Sequence, residues 1–311
     1  MSSLPTRIER EAGRRRAASE IVNITAARER ALSRMLVLYI STGVVFMLLP
    51  GTFLGVWNLL TISSHRAANS VSPAWIQAHG HAQIFGWIGS FILGIGFYSI
   101  PKLRRLGSFA LAPVWCAWGL WTSGVALRWF GSVYPWHWRV LVPLSSVCEL
   151  VAFLIFFRIV SGHRNEDSGK TSLNEWVFVV IAASLGLLLT LLVNAGLAFY
   201  LPFRSTSPEV PANFDQRFLV LETWGCLVPF VWGFSAKWLP VFLGLRPVRG
   251  RILLAVSLNS VGVLVALAGA VLPATVLLLI GLITAISALR LFESAERPAK
   301  VKGVHVTFLF S

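Results

Sequence analysis

Charge, and acidic charge above all, is what this chain has little of. Only 13% of its 311 residues are charged, roughly half the share of a soluble domain, and Asp and Glu number 13 against 27 Lys and Arg. A chain so poor in charge, with 56% apolar residues, does not disperse as a soluble domain. Apolar runs of about 20 residues are what a lipid solvent requires. Cysteine is scarce too. Cys116, Cys148 and Cys226 all lie in apolar runs, so they read as small packing residues and supply neither a disulfide framework nor a zinc site. There is no phosphate loop, no paired CxxC, no HExxH and no G-x-S-x-G, which removes common soluble enzyme classes. Residues 1–34 are polar and Arg-rich, without the apolar core and cleavage site of a signal peptide. They read as a cytoplasmic basic extension resting on anionic headgroups.

The net charge of +14 has two readings, nucleic-acid binding and membrane topology. Its distribution favours topology. The basic residues form short clusters between apolar runs: Arg14 to Arg16, then Lys102, Arg104 and Arg105, then Arg246, Arg249 and Arg251. Cytoplasmic loops of a bacterial inner-membrane protein follow this positive-inside pattern, so the bilayer is an expected partner and nucleic acid is not.

The apolar runs fall at about 35–60, 74–100, 107–130, 136–160, 175–200, 216–243, 251–271 and 273–291, each able to cross a bilayer as a helix. Eight spans return both termini to one side, with the N-terminus in the cytoplasm and every basic cluster beside it. Trp75, Trp129, Trp136 and Trp138 then lie near outer helix ends, as an aromatic belt does. Phe85-Gly86, Gly94 and Pro101 in span two recur at identical spacing as Trp224-Gly225, Gly233 and Pro240 in span six. The same offset carries span one onto span five. The expected fold is therefore an all-α polytopic transmembrane helical bundle of about eight spans in two four-helix units, 35–160 and 175–292, with a short tail at 293–311. The repeat is parallel, because both copies keep the same in–out sense.

Span two carries His79-Gly80-His81-Ala82-Gln83-Ile84-Phe85-Gly86-Trp87. At helical spacing His79 shares a face with Gln83, Gly86, Ser90 and Gly94, and His81 points nearly the opposite way, with Phe85, Ile88 and Ile92. Small residues let a neighbouring helix or a flat cofactor approach the backbone closely. An imidazole at this depth needs a partner. His79 is thus either an axial ligand to haem iron or a histidine hydrogen-bonded between helices. His81 is a candidate for a second metal site or reaches toward headgroups.

This run resembles the second-helix signature of the haem-copper oxidase and nitric oxide reductase catalytic subunits, in which a histidine is followed after five and six residues by Ile-Phe. It is more similar still to the NnrS-type membrane proteins, in which two histidines one residue apart precede Phe-Gly and an aromatic. The resemblance implies a haem-copper-oxidase-like arrangement of twelve helices, bound haem and copper, and a role in nitric oxide or respiratory small-oxidant metabolism with a redox partner. It makes His79 the haem-ligand candidate, with Gln83 beside it. The chain departs from the family's pattern: Phe218 and Val220 stand in span six where His79 and His81 stand in span two, and no third unit with further histidine follows. The chain therefore reads as a truncated or frameshifted member, which leaves its own turnover, and any catalytic residue, open.

Four further residues complete the candidates. His137, within Tyr134-Pro135-Trp136-His137-Trp138-Arg139, is a second axial or copper ligand or an interfacial residue among tryptophans. Arg128 pairs with a buried carboxylate or reaches a haem propionate. Glu149 and Glu222, the latter at the position of Gln83, mark a proton or ion route or fix packing through interhelical hydrogen bonds. The alternative function is a transporter or channel for a metal ion or small solute, lined by Glu149, Glu222 and Gln83. A third reading is a non-catalytic assembly partner holding haem or copper for an oxidase.

Overall fold

The computed structural model describes residues 7–104, 109–162, 175–248 and 250–292, with the backbone alone over 7–25. The expected tail at 293–311, together with Arg105, Arg249, His163 and His305, lies outside the described residues. Among those described, eight helices succeed one another: α1 (7–65), α2 (Pro73–Arg104), α3 (Ala112–Val133), α4 (Trp138–Val160), α5 (Glu175–Arg204), α6 (Ala212–Leu243), α7 (Arg251–Leu267) and α8 (Val271–Leu289). Six of them are long and apolar enough to cross a membrane, α1 through its segment Ala26–His65. Of the expected eight spans, α7 falls short in length, its 17 residues rising about 26 Å. The apolar character of α3 is diluted by Arg128 and by Trp115, Trp118, Trp121 and Trp129. The protein is an all-α, multi-pass membrane bundle. Many of the exposed side chains are large and apolar, among them Leu59, Leu60, Leu185, Leu192 and Ile283, as a lipid-facing surface demands.

Consecutive helices pack as pairs: α1 on α2, α3 on α4, α5 on α6 and α7 on α8. One apolar core, including Phe85, Phe97, Trp121, Phe153, Phe156, Leu187, Leu191 and Phe230, runs through both halves of the chain. The Trp75 indole donates to the Val133 carbonyl, and Gln77 exchanges hydrogen bonds with the backbone of Val210. These bonds gather the 66–72, 134–137 and 205–211 connections at one end, the tryptophan end. At the other, basic end Arg28 donates to the Phe109 carbonyl, Arg104 to that of Val160, and Lys102 pairs with Glu29.

The offset of 139 residues that separates Gly86 from Gly225 recurs in the backbone. It carries the ends of α2 onto the ends of α6, His65 at the close of α1 onto Arg204 at the close of α5, and Ala112 onto Arg251 at the starts of α3 and α7. Helix irregularities keep the same register. A π-helical stretch, Ala82–Gly89, interrupts α2, and another, Leu221–Leu227, interrupts α6. A π turn loosens one carbonyl from the helical ladder. In α2 the indole of Trp121, on α3, donates to the carbonyl of Phe85, and in α6 the amide of Asn259, on α7, donates to the carbonyl of Trp224. Phe85 and Trp224 are themselves 139 residues apart. The carbonyl at this register is thus bonded in both helices by a side chain of the helix that follows, Trp121 in one and Asn259 in the other.

Candidate functional site

The small-residue face of α2 packs directly on α1. A Cβ at Gly86 would lie 2.7 Å from that of Phe46, and one at Gly94 would lie 2.6 Å from that of Tyr39. The glycines therefore admit bulky side chains of a neighbouring helix, as close interhelical packing in membranes does. At the tryptophan end of this seam α1 has its own π stretch, Met47–Phe53, around Pro50. Proline removes a donor and frees carbonyls from the helix, and three side chains from other helices take them. His79 Nδ1 lies 2.9 Å from the Gly51 carbonyl, Trp129 Nε1 donates to Pro50 at 3.2 Å, and Gln83 Nε2 donates to Met47 at 3.4 Å. A carbonyl only accepts, so His79 carries its proton on Nδ1. Its ring lies so close over Gly55 that a Cβ there would approach Cε1 to 2.6 Å. His79 and Gln83 together stitch the proline-broken part of α1 to α2.

His81 points the other way, into the core. Its Nε2 lies 2.7 Å from Glu149 Oε1, and the ring stacks on Phe85 with centroids 4.5 Å apart. Glu149 is fully buried on α4, and its second oxygen accepts from Asn194 Nδ2 of α5 at 3.2 Å. Room for this carboxylate comes from Gly124 of α3, where a Cβ would come within 2.8 Å of Glu149 Cγ. Three helices, α2, α4 and α5, thus meet in one buried hydrogen-bonded chain, His81–Glu149–Asn194.

Around this chain lies a cavity of about 180 Å³, lined by polar side chains from four helices: Gln77, His79 and His81 of α2, Arg128 of α3, Asn194 of α5, and Asp215 and Glu222 of α6. It lies beside the 205–211 connection, whose Val210 is part of its wall. Arg128 is only 6% exposed, and its Nη1 has no hydrogen-bond partner. No described carboxylate pairs with it within 4.0 Å, although Glu222 and Asp215 line the same cavity. Glu222 is buried as well and also borders a smaller void toward Cys226 and Thr190. It stands ten residues into the 32-residue α6, about 15 Å along the axis from its start.

The sequence candidates are therefore divided. His81, Glu149, Glu222 and Arg128 come together, and His79 borders the same cavity while serving α1. His137 does not join them: it is exposed, has φ 48°, precedes the first turn of α4 and lies edge-on to Trp136 at 4.3 Å. Among the described residues no group of three or more His, Cys, Asp or Glu is arranged to hold a metal ion. Nor do the residues as packed fit a porphyrin. Phe46 and Tyr39 fill the glycine seam, and the cavity is smaller than the roughly 300–1,000 Å³ of sites for drug-sized ligands. Sequence reasoning misses Asn194, Asp215 and Gln77. An amide within the apolar run 175–200 is the signal that marks Asn194, and its partner is 45 residues away.

No protein-family model, no curated protein and no solved structure matches this chain.

Proposed function

We propose that the protein is a membrane carrier for a small polar solute, with its binding site in the Arg128–Glu222 cavity and the His81–Glu149 pair as its proton-handling element. The observation that carries this reading is a buried guanidinium with an unbonded Nη1, on a side chain that lines a void shared by two carboxyl groups and two imidazoles. Ionisable groups at this depth are costly in a membrane and mark substrate, ion or proton routes. The cavity draws on helices of both halves of the chain, and secondary transporters place substrate sites at the interface of their repeats. The π stretches of α2 and α6 begin beside this cavity.

Proteoliposomes loaded with a pH-sensitive dye test it. Small polar solutes added outside should drive solute-dependent proton movement in the native protein and little in Glu222→Gln or Glu149→Gln. Proton movement that no solute changes, or that survives both substitutions, removes the carrier reading.

A second reading, the haem protein in nitric oxide metabolism that the NnrS resemblance implies, is favoured by one observation. The Nδ1 contact to Gly51 leaves Nε2 as the basic nitrogen, which is how backbone carbonyls orient metal-bound histidines. It requires the spans to part around His79. An absorption band of the purified protein, lost in His79→Ala, would select it.

A further inference from the structure

We infer that the solute of this cavity is a small zwitterion of the amino-acid class; this rests on the carrier reading and adds the chemistry of its ligand. Size comes first. About 180 Å³ of void corresponds to roughly six waters at ~30 Å³ each, and so to a molecule of about six heavy atoms. Charge decides the rest. The Arg128 Nη1 lacks an acceptor, and a carboxylate is the partner a guanidinium fork matches best. An anion alone would satisfy it but would leave the carboxyl groups of Glu222 and Asp215, on the same walls, without a cation from the ligand. A cation alone would suit those two carboxylates but would leave the guanidinium bare.

A molecule with a carboxylate at one end and an ammonium one carbon away answers both signs at once. Room for it lies beside Gly80, which is on the lining and has nothing within 4 Å of where a Cβ would stand, and no carboxylate is paired to Arg128 among the described residues. Neighbouring side chains then have fitting roles. Gln77 is tied to the Val210 backbone at 2.8 Å in both directions and holds the loop that borders the cavity beside Asp215. His81 and Asn194 complete the lining, and because both are bonded to Glu149 they are held in place rather than free to move with the ligand.

Alanine and its two isosteres separate the alternatives. Propionate keeps the carboxylate and lacks the ammonium; ethylamine keeps the ammonium and lacks the carboxylate. Equilibrium binding of radiolabelled alanine to the full chain in detergent, with each isostere as competitor, should place both isosteres about 30-fold or more weaker, the usual result of truncating one partner of a buried charged contact. Arg128→Leu should abolish alanine binding. Gly80→Leu, which fills the void and leaves every polar group in place, should do the same in a protein that elutes as the native chain does. Propionate competing as well as alanine overturns the zwitterion and leaves an anion carrier. No binding by any of the three, in a protein that still shows proton movement with some other solute, overturns the inference alone. Absence of both binding and solute-dependent proton movement overturns the carrier reading with it.

Discussion

Replacing His81 by leucine removes one of the two partners of a carboxylate with no exposed surface. Glu149 Oε1 loses its contact at 2.7 Å, while Oε2 keeps only the Asn194 amide at 3.2 Å. Breaking a buried pair from one side is strongly destabilising, about 3–5 kcal/mol, because the surviving group stays buried without its partner. Glu149→Leu should cost a similar amount, since it strands both the imidazole and the Asn194 amide. In the double variant His81→Leu, Glu149→Leu, only that amide is left unbonded, at about 1–3 kcal/mol. The double variant should therefore be more stable than either single one. Reversible unfolding in mixed detergent and SDS micelles, monitored by circular dichroism and by the fluorescence of the 13 tryptophans, gives the three free energies. Losses that simply add would show that His81 and Glu149 are not coupled, and the buried chain would lose its basis.

The packing sets further outcomes. Gly186→Ala should prevent α5 and α6 from closing, because a Cβ there runs into the Gly225 carbonyl, whereas Gly119→Ala, with nothing within 4 Å, should fold and elute as the native chain does. Gly89→Ala should lower stability by about 1–3 kcal/mol through overpacking, since its Cβ would come within 2.5 Å of the fully buried Trp121 ring; unchanged SDS resistance would refute that. His79→Ala should loosen α1, read as faster hydrogen exchange around Pro50, because it removes the contact to Gly51. Exchange unchanged there would deny His79 its stitching role.

Much of the bundle is legible in sequence because membrane helices announce themselves by length and apolarity. The spacing of Gly86, Gly94 and Pro101 against Gly225, Gly233 and Pro240 already points to the offset that the helix ends and π stretches obey. Glu149 and Glu222 are equally legible, since a carboxylate in an apolar run has few innocent uses. The two histidines are harder. Periodicity separates their faces correctly but says nothing about which helix each face meets. A lane of small residues invites a flat cofactor and a neighbouring helix alike, and here Phe46 and Tyr39 occupy it. The attachment of His81 to Glu149 spans 68 residues, and that of Asn194 to Glu149 spans 45. Pairings over such distances are set by how the helices are arranged, which local spacing does not encode. The π stretch of α1 is hidden for a related reason: Pro50 signals a break, but not which side chains from elsewhere absorb the freed carbonyls.

The claim beneath the functional account is that the Arg128–Glu222 cavity is reached by water and solutes. Gly80→Cys, in a chain whose Cys116, Cys148 and Cys226 are replaced by alanine, tests this with a membrane-impermeant thiol reagent applied to reconstituted vesicles of both orientations. The account predicts rapid modification of Gly80→Cys, approaching that of a control at the exposed Thr206, Thr206→Cys. Modification of the control with none at position 80 would contradict it.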